Sequence, residues 1–230
     1  MNQPLPLSVV WSLLLSCAVL FSAPLSAASL QAELLDSQGQ PLANAVLSLR
    51  GPSGPPPAPE LSLMDQRAQQ FAPNVLVVRS GTAVSFPNSD NIRHHVYSFS
   101  PAKRFELRLY QGTPSEPVIF DTPGVVVLGC NIHDWMVGYI YVTDDPWFAV
   151  SDEQGRLSLE QVPPGAYTVS LWHPQTPDML PQAAGQLQLT GAGSQQRYTL
   201  AMQAPATQAA PSAPVSAFGD AFKKARDAAQ

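Results

Sequence analysis

The chain has 230 residues, a formal charge of -5 and only 13% charged residues. That length accommodates one large domain or two small ones, and the charge leaves no basic footprint for nucleic acid or an anionic membrane surface. A nucleic-acid partner is therefore not expected.

In chain order, the first expected element is a secretory signal over residues 1–28. Leu7 to Ala23 is almost purely apolar, and Ser26, Ala27 and Ala28 supply the small residues that precede a cleavage site. The apolar core is short for the roughly 20 residues of a spanning helix, so cleavage, export to the periplasm and no stable membrane insertion afterwards are expected, with an uncleaved membrane anchor or lipidation at Cys17 as the alternatives. Cys17 lies inside the signal, which leaves Cys130 as the one cysteine of the mature chain. An internal disulfide is then impossible, and a lone thiol in an exported protein is either a buried bystander, a site of intermolecular pairing or a residue kept for its chemistry.

Beyond the signal, short alternating runs bounded by Gly, Pro, Asn and Asp predict an all-β fold. Residues 29–52 predict a hairpin around Asp36-Ser37-Gln38-Gly39, as the N-terminal part of a flanking β-sandwich. Residues 53–62 lie in a proline-rich stretch that reads as an extended spacer. A central domain over 63–145 carries strand-like runs at Asn74 to Arg79, Thr82 to Phe86, His95 to Phe99, Phe105 to Tyr110, Gly124 to Leu128 and Tyr139 to Val142. Residues 146–202 repeat the grammar of the first flank, with a turn at Asp152 to Gly155 and strands around Leu157 to Leu159 and Tyr167 to Trp172. The two flanks either pair into one sandwich around an inserted central domain or follow one another as consecutive β segments. From 203 to 230, Ala, Pro, Gln and Ser dominate, a composition expected to stay disordered, with a short helical pattern at Ala217 to Ala229.

The chemistry concentrates in Cys130-Asn131-Ile132-His133-Asp134-Trp135-Met136. A thiolate, an imidazole and a thioether at this spacing fit one tight loop between two strands. Soft sulfur donors with imidazole select copper over hard cations, and two His, one Cys and a weak axial Met make an electron-transfer copper geometry. The second imidazole must come from His94, His95 or His173. His94 and His95 begin a strand, where successive side chains face opposite ways, so one of that pair at most reaches the metal. Trp135 and Trp147 read as packing aromatics and His173 as structural. Phosphate-binding glycine loops, Gly-x-Ser-x-Gly and His-Glu-x-x-His are all missing, and a cysteine-protease reading leaves the His133 and Met136 spacing unexplained. An enzyme is not expected.

Residues 63 to 143 resemble the cupredoxins, the plastocyanin and amicyanin family of blue copper proteins. His94-His95-Val96-Tyr97 matches the first-ligand region of that family with His95 in the place of an Asn, and Cys130, His133 and Met136 match its ligand loop, with Val137 to Val142 as the closing strand. The resemblance implies one type 1 copper ion held by His94, Cys130, His133 and Met136, with Asn88 and His95 as neighbours of the ligands. The flanks, in Asp36-Ser37-Gln38-Gly39-Gln40-Pro41-Leu42-Ala43-Asn44-Ala45-Val46 and Leu159 to Tyr167, resemble the carboxypeptidase-regulatory-like, transthyretin-like sandwich. The fold implied is a cupredoxin-like Greek-key β-sandwich with flanking transthyretin-like segments. The whole arrangement is similar to exported methylamine-utilisation proteins. It implies an electron carrier between periplasmic redox proteins. An envelope copper carrier without electron-transfer turnover and a structural ligand-binding sandwich are the alternatives.

Overall fold

The computed structural model describes residues 28–51 and 61–202. Residues 1–27 of the expected signal, 53–60 of the expected spacer and the tail from 203 lie outside the described residues, whereas Ala28 at the end of the expected signal and Ser62 at the end of the expected spacer already belong to strands. No described helix is long and apolar enough to cross a membrane.

The described chain is all-β. Its strands in order are β1 (Ala28–Asp36), β2 (Val46–Arg50), β3 (Ser62–Leu63), β4 (Asp65–Arg67), β5 (Gln70–Ala72), β6 (Val75–Arg79), β7 (Thr82–Ser85), β8 (His94–Ser98) and β9 (Phe105–Tyr110). There follow β10 (Val118–Phe120), β11 (Gly124–Gly129), β12 (Val137–Thr143), β13 (Trp147–Val150), β14 (Arg156–Val162), β15 (Gly165–Trp172), β16 (Gln182–Leu189) and β17 (Ser194–Leu200).

The central part is a sandwich of a five-stranded sheet, ordered β6-β12-β11-β8-β9, and a three-stranded sheet, ordered β10-β7-β3. The chain crosses from the five-stranded to the three-stranded sheet at β7 and again at β10 and returns each time, the crossing pattern of a Greek key. Period-two alternation drives this layering. Val126 and Leu128 on β11, Val78 on β6, Val84 on β7 and Val96 on β8 meet Phe86, Phe120 and Ile140 in one core, while their strand neighbours point to the opposite face of the sheet, where Tyr141 enters a second buried cluster. Phe105 and Phe120 meet edge to face at 5.9 Å, a favoured geometry for aromatic pairs.

The flanking residues form a second pair of sheets, β14-β1-β17 and β13-β2-β15-β16. Strands before and after the central sandwich thus pair directly, β1 with β14 and β2 with β13 and β15. The hairpin expected around Asp36 to Gly39 does not form. β1 and β2 lie in different sheets, because the segment after the turn carries Leu42 and Ala45 across the core to face Leu30 and Leu34. Only a local bridge between Leu35 and Pro41 keeps a hairpin-like contact.

Strand β2 is buried on both faces. Leu47 and Leu49 enter the flanking core, whereas Val46 joins Val75, Tyr141 and Trp172 in a cluster shared with the central sandwich. Ser48, on that same face, donates its hydroxyl to Asp145 at 2.6 Å, which also takes the Arg50 guanidinium at 2.8 Å.

Candidate metal centre

Strands β11 and β12 pair antiparallel up to Gly129↔Val137, so residues 130–136 form the loop that closes this hairpin. The Met136 N–H donates to the His133 carbonyl at 2.9 Å and the Val137 N–H to Trp135 at 3.1 Å, which tightens the loop. Gly129 pairs with Tyr97, and a Cβ on Gly129 would lie 2.8 Å from the Tyr97 ring. The missing side chain lets β8 approach closely, and β8 starts with His94.

The result is one cluster. Donor atoms of His94, Cys130 and His133 all lie within 4.8 Å of one another, the one such group of His, Cys, Asp and Glu among the described residues. His94 Nδ1 and His133 Nδ1 are each 3.8 Å from Cys130 Sγ, and the two imidazole centroids are 5.1 Å apart. His94, Cys130 and Met136 are buried, and His133 is half-buried. Cys130 is a free thiol. Two donors that share one ion at ordinary bond lengths of roughly 2.0 Å to nitrogen and 2.3 Å to sulfur are separated by about this distance at an open angle. A thiolate with two imidazoles is also the donor set that suits copper. The residues therefore fit the metal that the sequence implies.

The strand pleat separates the two neighbouring histidines. His94 faces Cys130, whereas His95 lies with its Nε2 3.0 Å from a Glu106 carboxylate oxygen and its ring beside Tyr97. Asn88 is buried. It donates its side-chain amide to the Ile92 and Tyr110 carbonyls, both at 2.9 Å, and accepts the Asp90 N–H at 3.0 Å. Met136 is buried in the same core cluster as Cys130. Trp135 departs from the packing role expected of it. It is 68% exposed and covers His133 at 5.3 Å between ring centroids, because the tight loop leaves position 135 outside the sandwich. Trp147 does pack, against the flanking core. His173 lies in the flank and accepts the Gln175 N–H.

Sequence reasoning missed Asp90. Its carboxylate meets His94 Nε2 at 2.7 Å and accepts the Ala68 and Gln69 N–H groups at 2.7 and 2.9 Å. Burial pushes this carboxyl up, but the Gln69 N–H, the His94 ring and the Ala68 N–H together outweigh it and hold it below its ordinary value. Tyr110, the cross-strand partner of His94, donates its hydroxyl to the Phe86 carbonyl at 2.7 Å. Burial pushes that phenol up to about 12.

Neither a protein-family model nor a curated protein sequence matches the chain. Among solved structures it is similar to a purple cupredoxin from Nitrosopumilus maritimus, at 22% identity and a TM-score of 0.31, over 36% of this chain and 98% of that one. An amicyanin variant in the reduced state shares 19% identity at a TM-score of 0.33, over 42% of this chain and 99% of its own. A copper-containing nitrite reductase from Thermus scotoductus shares 25% identity at a TM-score of 0.34, over 49% of this chain but 28% of that enzyme.

Proposed function

We propose that the chain is a periplasmic type 1 copper protein that carries electrons between redox partners. The observation that carries this reading is the convergence of His94, Cys130 and His133 donor atoms within 4.8 Å, in a chain whose described part has no other such group. Copper bound there would supply a one-electron couple, Cu(I)/Cu(II).

The chain's own residues set the conditions for that couple. Cys130 would provide the thiolate, His94 and His133 two imidazole nitrogens, and Met136 a weak thioether donor that would tune the potential. His94 and Met136 are buried to 0% and 1% exposure, which excludes water from one side of the site. Because interiors are close-packed and resist deformation, the buried donors would move little as a bound copper changed oxidation state. His133 is the donor nearest solvent, and exposed Ile132 and Trp135 flank it. A redox partner docking on this loop meets the site through the His133 ring, and such transient encounters bury small interfaces. The redox setting proposed is that of the methylamine-utilisation proteins, and the chain itself is not a catalyst.

The test is the optical and EPR spectrum of the mature protein after loading with Cu(II) and removal of excess metal. An intense thiolate-to-copper band with narrow parallel hyperfine splitting is expected. Copper bound without that band would replace electron transfer by copper carriage, and the lack of stoichiometric copper would leave a structural sandwich.

A further inference from the structure

The imidazole of His94 is clamped from both sides. Its Nδ1 faces Cys130 Sγ, and its Nε2 lies 2.7 Å from Asp90 Oδ2. An ionised carboxylate only accepts hydrogen bonds, so the proton of a neutral His94 ring belongs on Nε2 and the lone pair on Nδ1. That is the tautomer a metal on the Cys130 side requires.

The carboxylate is itself held by an unusual turn. Arg67 and Gln70 close the β4–β5 hairpin, and the two residues between them, Ala68 and Gln69, both have positive φ, 50° and 57°. Two-residue turns of this kind favour Asn-Gly, since L side chains resist that region. Here Ala-Gln adopts it, and both N–H groups of the turn end on the Asp90 carboxylate. Backbone strain of this sort persists where the surroundings over-determine it. Asn88 completes the arrangement by accepting the Asp90 N–H.

Resting on the copper reading above, we propose that Asp90 is a positioning residue for the metal centre: held by the Ala68–Gln69 turn, its carboxylate fixes the tautomer and orientation of His94 and strengthens Nδ1 as a donor. Carboxylates behind metal-bound histidines act in this way, and their loss typically costs roughly 10- to 100-fold in metal affinity. A stronger nitrogen donor favours Cu(II) over Cu(I), so the carboxylate lowers the reduction potential.

Asp90→Asn is the discriminating variant. Three donors, two backbone N–H groups and the His94 ring, surround position 90, and an amide must turn its own N–H groups toward at least one of them. The first measurement needs neither copper nor the variant: the imidazole 15N shifts of His94 in the metal-free wild-type protein should show a proton on Nε2 and a bare Nδ1. A proton on Nδ1, or a mixture of tautomers, would overturn the proposal. In the loaded proteins, Asp90→Asn should weaken copper binding by about 10- to 100-fold and raise the potential. Unchanged affinity and potential in a variant that keeps the thiolate band would reduce Asp90 to a clasp for the hairpin and leave the copper reading standing. If wild-type His94 shows the Nε2–H tautomer but the protein takes up no copper, the functional reading falls and the positioning of His94 by Asp90 stands.

Discussion

Tyr141 and Trp172 stack with ring centroids 5.1 Å apart and planes 29° from parallel. Tyr141 belongs to β12, the strand that leaves the candidate ligand loop, and Trp172 ends β15 of the flanking sheets, so this contact joins the two sandwiches. Trp172 is fully buried, meets Tyr139 edge-on at 6.1 Å, and donates its indole N–H to the Met179 carbonyl at 2.9 Å. The flank is therefore packed onto the strand that positions the loop.

Replacing Trp172 by Ala should cost about 3–5 kcal/mol, as large-to-small changes of buried aromatics do. Trp172→Phe should cost less, because a ring remains to stack on Tyr141. Urea unfolding of the metal-free protein, followed by circular dichroism, measures both. A loss under 1 kcal/mol for the Ala variant would contradict the packing described.

Cys130→Ser should abolish any intense visible band of the copper-loaded protein, since an alkoxide cannot supply the thiolate-to-metal charge transfer. Stability of the metal-free variant should fall only modestly, because the side chain stays small in a buried site. Absorption spectroscopy decides the first point and thermal unfolding the second.

The two adjacent histidines should behave differently. His95→Asn should retain copper with an unchanged band, because that ring lies toward Glu106. His94→Asn should lose the band or weaken binding strongly, because His94 Nδ1 faces Cys130. Titration of each variant with Cu(II), read by absorption, distinguishes them, and the reverse pattern would exchange the two roles.

Gly138 is held to glycine by a close approach rather than by its φ. A Cβ there would lie 2.7 Å from the Phe71 Cβ and 2.9 Å from its ring, near the backbone of β5, where yielding is difficult. Gly138→Ala should destabilise the metal-free protein by about 1–3 kcal/mol, the usual range for overpacking. Because it pushes against the hairpin whose turn holds Asp90, it should also broaden the EPR spectrum of the copper form.

Acid should weaken the same hairpin through Asp65. Burial pushes that carboxyl up, but the Ser89 hydroxyl, the Arg67 guanidinium and the Gln66 N–H together hold it below its ordinary 3.8. A folded-state value below the unfolded one contributes stability that is present above roughly pH 3.9 and is lost as pH falls through the folded value. Asp65→Asn should therefore be less stable than wild type at pH 7, with the gap narrowing below about pH 4. Urea midpoints of both proteins across pH 2–7 provide the measurement, and a gap independent of pH would exclude the carboxylate as its source.

Much of this was legible along the chain because it is local. The strands at Val75–Arg79, Thr82–Ser85, Phe105–Tyr110 and Gly124–Gly129 follow from alternation and turn residues, since the pleat repeats every two residues wherever a strand lies. The short strands of the hairpin 65–72 escaped notice, as three-residue runs carry too little alternation to stand out. Trp135 misled because aromatic residues usually pack, and nothing in the heptapeptide from Cys130 to Met136 reveals which of its side chains the loop turns outward.

By itself the sequence determined the donor chemistry: Cys130, His133 and Met136 sit within seven residues, so any tight loop brings them together. It also limited the His94–His95 pair to one member at the site, because the pleat forbids both. The family resemblance already implied His94 as that member; tertiary structure alone decided that Asp90 stands behind it, and which of the two arrangements of the flanks holds, with strands on either side of the central sandwich joined in shared sheets. Asp90 is only four residues from His94, but its hold on the Ala68–Gln69 turn, the approach of His94 to Cys130 and the shared sheets depend on register and on contacts between segments tens to more than a hundred residues apart, such as Leu30↔Leu159. Nothing in local spacing encodes them, since they arise only when separate apolar faces are buried against one another.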